Sequence, residues 1–209
     1  MNHQLMIYYL LMKILGLDAS TTTIGYSVLN FDGYSPPKLE HYSYFKPPKD
    51  GHIAERLAKV RDFIYEIMDG YAPDEVVIED ILLGFKPGGG GFGGTTIKTL
   101  TSLAVLNRVV CLSVFDKLKR PPILQSVMKI RHAIKEDKVI PKKDEVPALM
   151  IKYLGPIDFP VQTKGKHKGE LAPVAGDIAD SIACVYGYCK LQLREKEKVE
   201  KKNVKKRKP

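Results

Sequence analysis

The sequence predicts an α/β protein, a single domain built on a mixed five-stranded sheet flanked by helices. Three short apolar runs with tight connections come first, which suggests an antiparallel meander. Later strand-like runs alternate with stretches whose apolar residues recur every three to four positions, the spacing of amphipathic helices. The 209 residues, 44% of them hydrophobic, suffice for one good-sized core.

Lys13 to Asp18 reads as a buried strand, Ala19-Ser-Thr-Thr-Thr23 as a turn and Ile24 to Asn30 as the second strand. Asp32-Gly33 and Pro36-Pro37 mark turns before a third strand, near Leu39 to Phe45. From Gly51 to Met68, Ile53, Leu57, Val60, Phe63, Ile64 and Ile67 define one helical face, and Gly70 is expected to end that helix. Pro73-Asp74 introduces the fourth strand, Val76 to Glu79. The glycine-rich run Gly84 to Gly94 follows, then a long helix over Thr96 to Leu118. Ile123 to Gln125 gives the fifth strand, and Ser126 to Ile134 a helix. Another helix runs from Asp144 to Leu154, and a loop rich in lysine and glycine fills Asp158 to Pro173. The last helix is expected over Asp177 to Leu193.

Residues 1–12 read as an N-terminal extension, 13–193 as the domain and 194–209 as a basic, disordered tail. Met6 to Met12 is apolar, but no basic region leads it and Lys13 interrupts it. No signal peptide is expected, and Met12 reads as the true start. No run is read as long enough to span a membrane. Lys190 to Pro209 holds ten Lys or Arg and three Glu, so most of the net charge of +9 lies in the tail. An anionic partner is the expectation, with a solvated tail as the alternative. Cys111, Cys184 and Cys189 lack CxxC spacing and sit in apolar surroundings, so reduced core thiols in a cytoplasmic protein are expected.

Function is written in three groups of acids. Lys13-Ile-Leu-Gly-Leu-Asp18 and Glu75-Val-Val-Ile-Glu79-Asp80 each end an apolar run on a carboxylate. In Gly176-Asp177-Ile-Ala-Asp180-Ser, two aspartates three apart share one helical face. Acids without nearby bases repel one another when brought together unless a divalent cation holds them, so a Mg²⁺ or Mn²⁺ phosphodiester-cleaving site is the leading expectation. Asp80 points away from Glu79 across the strand and reads as structural or solvated. Taken singly, each acid has a plainer reading as a cap or turn residue, Asp177 as a helix N-cap above all. Gly25 reads equally as a site of close backbone approach or of strand packing. Ser20 to Thr23 offer hydroxyls to a phosphate or, more plainly, cap the turn.

Leu-Gly-Leu-Asp18 with Thr23-Ile-Gly25-Tyr-Ser, then Val-Ile-Glu79, then Asp177-Ile-Ala-Asp180-Ser, resembles the RuvC family of Holliday-junction resolvases, which are RNase H-like nucleases. The resemblance covers roughly Lys13 to Lys190. It implies an RNase H-like sheet, two Mg²⁺ ions with Mn²⁺ able to substitute, and Asp18, Glu79, Asp177 and Asp180 as ligands, with Asp18 bridging. It also implies a homodimer joined through the Thr96–Leu118 helix, acting on branched DNA by paired nicks. Lys142-Lys143-Asp-Glu-Val146 is similar to the family's Lys-x-x-Val, which makes Lys143 the catalytic lysine. The glycine usual before that motif is absent, with Asp137-Lys-Val-Ile-Pro141 in its place. Lys129 is a second, weaker candidate. Phe85 and Phe92 stand where the family engages bases at the branch point, Phe92 being the better placed for stacking. Lys164, Lys166 and Lys168 form a basic loop suited to phosphates, with His167 among them as an accessory acid or base. Action on flaps, forks or RNA–DNA hybrids is the nearest alternative, and non-catalytic DNA binding is another. Asp18-Ala-Ser-Thr-Thr also resembles the phosphate hairpin of the sugar kinase/actin superfamily, whose members are usually much larger.

Overall fold

The computed structural model describes residues 11–80 and 97–206. Strands β1 (Met12–Ala19), β2 (Ile24–Phe31) and β3 (Lys38–Phe45) precede α1 (Ile53–Tyr71), β4 (Glu75–Asp80) and α2 (Ile97–Leu118). Then come β5 (Ile123–Ser126), α3 (Val127–Ile134), a 3₁₀ turn (Lys143–Glu145), α4 (Val146–Leu154) and α5 (Pro173–Lys206). The sheet order is β3-β2-β1-β4-β5. The first three strands form an antiparallel meander, and β4 and β5 add in parallel beside β1. The mixed five-stranded sheet is the one the sequence predicts.

Strand alternation divides the core into two layers. Ile14, Leu29, Phe31 and Val77 pack under α3, α4 and α5. Leu15, Leu17, Val28, Val76 and Ile78 pack under α1 and α2. Side chains such as Ile14 and Ile182 are wholly buried, and truncating either to Ala would cost about 2–5 kcal/mol. The same period of two sends Asp18 and Glu79 to the α5 layer, at the edge where β1 and β4 end.

Three boundaries and one reading of composition differ from the sequence expectation. Helix α1 runs past Gly70 to Tyr71, whose ring lies 5.1 Å from His41 and 6.3 Å from Tyr26, and ends on Ala72 in the left-handed region (φ 46°). Helix α5 starts at Pro173, so Asp177 lies in its second turn and is not an N-cap. The helix then continues to Lys206, through much of the segment read as a disordered tail. Arg194 donates to the Ala133 carbonyl (3.1 Å), and Lys196 donates to the Gly33 carbonyl (2.8 Å). These bonds tie its root to the body, and beyond them Glu197 and Lys201 pair one turn apart at 3.7 Å. Finally, α2 is long and apolar enough to cross a membrane by composition alone, against the expectation that no run is. One side of it, Leu106, Asn107, Val110, Ser113 and Val114, is buried against the sheet and α1, as in a core helix.

Candidate active site

Asp18 is the penultimate residue of β1 and pairs in register with Gly25 of β2. The parallel register of β1 with β4 reaches Leu17 opposite Ile78, and one step further sets Asp18 beside Glu79. The Asn107 carboxamide, buried in α2, donates to the Glu79 carbonyl (3.3 Å) and pins the strand end. Asp80 points to the other layer, 3.8 Å from Arg108.

Helix α5 reaches these acids because two strand glycines let it settle on the sheet. A Cβ on Gly25 would meet the backbone carbonyl of Asp177, and one on Gly16 would meet that of Ser181 and lie 2.6 Å from Val185. Of the two readings of Gly25, close backbone approach is the one observed. Ser20 caps the β1–β2 turn, accepting from the Thr23 amide (3.0 Å) and donating to the Thr23 carbonyl (2.8 Å). Thr23, itself buried, bonds Asp177 through its side chain.

Burial dominates the electrostatics. It pushes Asp18 well above the ordinary carboxylate range, and the charges of Glu79, Asp180 and Asp177 push it further, against a smaller pull from Lys143. Burial followed by repulsion from Asp180 raises Glu79 to about 7, against Lys143 and Arg131. Asp177 and Asp180 are raised too, chiefly by burial, with Lys143 pulling each back. The Lys143 ammonium stands 3.6 Å from Asp180. Burial works against its charge, but the four acids outweigh that and hold it above its usual value.

A pH dependence follows. Glu79 titrates near 7 when folded and near 4.5 in its unperturbed state, so folding favours its protonated form. Its contribution to stability is complete below about pH 4.5 and is lost as pH rises through 7. Without divalent metal, wild type should lose about 3 kcal/mol relative to Glu79→Gln between pH 4.5 and 8. Urea titrations in EDTA measure the difference. A gap independent of pH would mean that the acids do not share a buried site.

The structure therefore gathers Asp18, Glu79, Asp177, Asp180 and Lys143 at one edge. Lys143 arrives without the glycine of the family motif. Asp137 and Lys138 both take positive φ (44° and 69°) in the preceding turn, and Glu145 accepts from the Lys142 amide (2.7 Å) to open the 3₁₀ turn. Lys129 is exposed on α3, whereas Arg131, two residues on, is among the charges that pull Glu79 and Asp180 back down. The sequence reading missed Arg131, and it missed Asn107. Lys164, Lys166 and Lys168 are exposed on a closed turn held by the Val161–Leu171 bridge, where His167 pairs with Glu170 (2.9 Å). Phe85 and Phe92 lie outside the described residues. Cys184 is buried beneath the acids, whose charges add to burial in raising its thiol.

Among the described residues, no three His, Cys, Asp or Glu side chains close on one point as a ready metal cage. The donor chemistry nevertheless fits a hard divalent cation. Four carboxylates face one ammonium and one guanidinium, and desolvation, joined at Asp18, Glu79 and Asp180 by mutual repulsion, raises the pKa of each, a charge a divalent cation would offset.

No family model matches the chain. Over 163 residues it is 28% identical to the crossover junction endodeoxyribonuclease RuvC of Dictyoglomus thermophilum, spanning 68% of this chain and 96% of that protein. It is 35% identical over 68 residues to the RuvC of Dehalococcoides mccartyi, spanning 32% of this chain and 41% of that one. Its fold matches T. thermophilus RuvC, solved in complex with Holliday junction substrate, with a TM-score of 0.63 at 16% identity. That match covers 87% of this chain and 97% of that one. Fold, acid placement and sequence similarity agree: over most of its length the chain resembles the RuvC Holliday junction resolvases, at low sequence identity.

Proposed function

We propose that the chain is a metal-dependent, structure-specific endonuclease that cuts four-way DNA junctions by paired nicks. The observation that carries this reading is the set of four acids, Asp180 buried and the other three half-buried, facing Lys143 at one sheet edge. Asp18, Glu79, Asp177 and Asp180 would hold the metal, which when bound supplies an activated water and stabilises the leaving oxygen. Thr23 holds Asp177 in place, and Lys143, within reach of Asp180, offers positive charge where the attacked phosphate becomes more negative. The basic turn at Lys164, Lys166 and Lys168 suits phosphates further along the strand.

The first test is cleavage of a synthetic four-way junction against duplex, flap and RNA–DNA hybrid, with Mg²⁺ or EDTA. Symmetric nicks that require metal support the reading. Cutting confined to flaps or hybrids changes the substrate, and binding without cutting leaves a DNA-binding protein. Lys143→Ala should slow cleavage roughly a hundredfold. Because Lys143 lowers the pKa of every acid around it, the loss should also shift the activity profile to higher pH. Lys143→Arg should recover part of the rate.

Paired nicks need two active sites, which favours a homodimer. Helix α2 presents Val105, Leu112 and Phe115 to solvent on the flank its core packing leaves open. Sedimentation should give twice the chain mass, and a monomer at micromolar concentration would count against paired cutting. The three unpaired cysteines, two of them buried, support a cytoplasmic setting.

A further inference from the structure

A second feature lies at the acids' edge of the sheet, in the opposite layer. The β1–β2 turn, the segment after β3 and the first turns of α1 and α2 enclose a cavity of about 250 Å³. Leu57, Val60 and Leu106 make its floor. Arg56 and Lys98 stand at its rim, with the hydroxyls of Thr21 and Ser102. The Arg56 guanidinium is oriented by donating from Nε to the Pro48 carbonyl (2.7 Å). Among the described residues no carboxylate lines this cavity, although acids crowd the edge beside it. Thr21 belongs to the turn that Asp18 and Thr23 enter and leave, so the cavity and the carboxylates flank the same hairpin.

We propose that this cavity is a subsite for one nucleotide of the DNA strand whose neighbouring phosphate lies at the acids. The inference rests on the nuclease reading and deepens it. An apolar floor under a basic rim complements a group with a flat apolar body and an attached anion, which is what an unstacked nucleotide offers. The volume of about 250 Å³ falls just below the usual range of small-molecule sites and leaves room for no more than one nucleotide. The described lining residues, none of them acidic, set it apart chemically from the metal site. An unstacked nucleotide is a feature of a branch point, so occupancy here would let the enzyme sense a junction on one side of the β1–β2 turn while cutting on the other.

The test uses the full chain in EDTA, so that binding is read without cleavage. The probe is a synthetic four-way junction carrying 2-aminopurine, in turn, at each of the positions around the expected nick. Wild type should raise the fluorescence at one position, reporting an unstacked base. Ser102→Phe fills the cavity from an exposed position and should abolish that rise. It should weaken junction binding about five- to a hundredfold, the range for losing one base contact, with the salt slope unchanged. Lys98→Ala should weaken binding and reduce the salt slope by about one. Thermal unfolding identifies any variant that fails to fold. If wild type cuts junctions while Ser102→Phe binds them unchanged with the fluorescence rise intact, the subsite is wrong and the nuclease reading stands. If wild type binds no DNA of any form, both fall.

Discussion

Asp18→Asn should abolish junction cleavage and at the same time make the metal-free protein harder to unfold. Cleavage should drop by roughly a thousandfold or more, some 4 kcal/mol in the barrier, because the acid nearest the centre of the cluster can no longer hold metal. The gain in stability has a separate cause. Asp18 is half-buried, and desolvation together with three acidic neighbours raises its pKa well above the ordinary range. At neutral pH the folded chain must carry a charge there or take up a proton that the unfolded chain does not hold. Asn keeps the size and removes the charge, so the variant should gain about 1–3 kcal/mol in EDTA. The gain should shrink with added Mg²⁺, which stabilises wild type selectively. Denaturant titrations with and without metal, run beside the cleavage assay, read both effects. A variant that is less stable than wild type, or that still cuts within tenfold of its rate, would remove Asp18 from the centre of the site.

The distribution of charge and apolar residues along the chain explains what could be read from sequence. Leu-Gly-Leu-Asp18 and Val-Val-Ile-Glu79 are local signals: an apolar run makes the strand, and its final acid marks the edge where strands end. Asp177 and Asp180 were legible as one helical face because their spacing alone fixes that. The start of α5 was not. Pro173 opens the helix at a position where proline loses no hydrogen bond, and the Asp177 carboxylate bonds the Thr23 side chain of another element. Arg131 was hidden for a similar reason. Lys129 and Arg131 flank the buried stripe of Ile130, Ala133 and Ile134 on opposite sides of α3, and only packing against α5 decides which flank meets the acids. The far end of α5 was misread because a run of lysines looks like a solvated chain. Its glutamates are interleaved at helical spacing, and its root is anchored by Arg194 and Lys196. Gly25 left two readings open, since the atoms that require a glycine there belong to Asp177, more than 150 positions away in the chain.

That distant requirement makes Gly25→Ala a severe test of how the site is assembled. The added methyl would overlap the carbonyl group of Asp177 and approach the amide of Ile178 to 2.8 Å. Both contacts are helix backbone, which cannot rotate away as a side chain would, so α5 must lift off β2 or the strand must bow. Overpacking of this kind costs about 1–3 kcal/mol and sometimes more. The displacement falls on the residue that carries one of the four acids, so cleavage should fall along with stability, well beyond what partial unfolding explains. Gly176→Ala provides the contrast one residue before Asp177. A Cβ there meets nothing within 4 Å, and Gly176 sits inside the helix, so alanine should stabilise by about 0.5–1 kcal/mol through lower chain entropy. Thermal or urea unfolding of the two variants should therefore move in opposite directions. If Gly25→Ala folds and cuts as wild type does, the close seat of α5 on the β1–β2 hairpin is not what sets Asp177 opposite Asp18. The carboxylates would then have to be brought together by the Lys143 side of the site instead, through its pairing with Asp180.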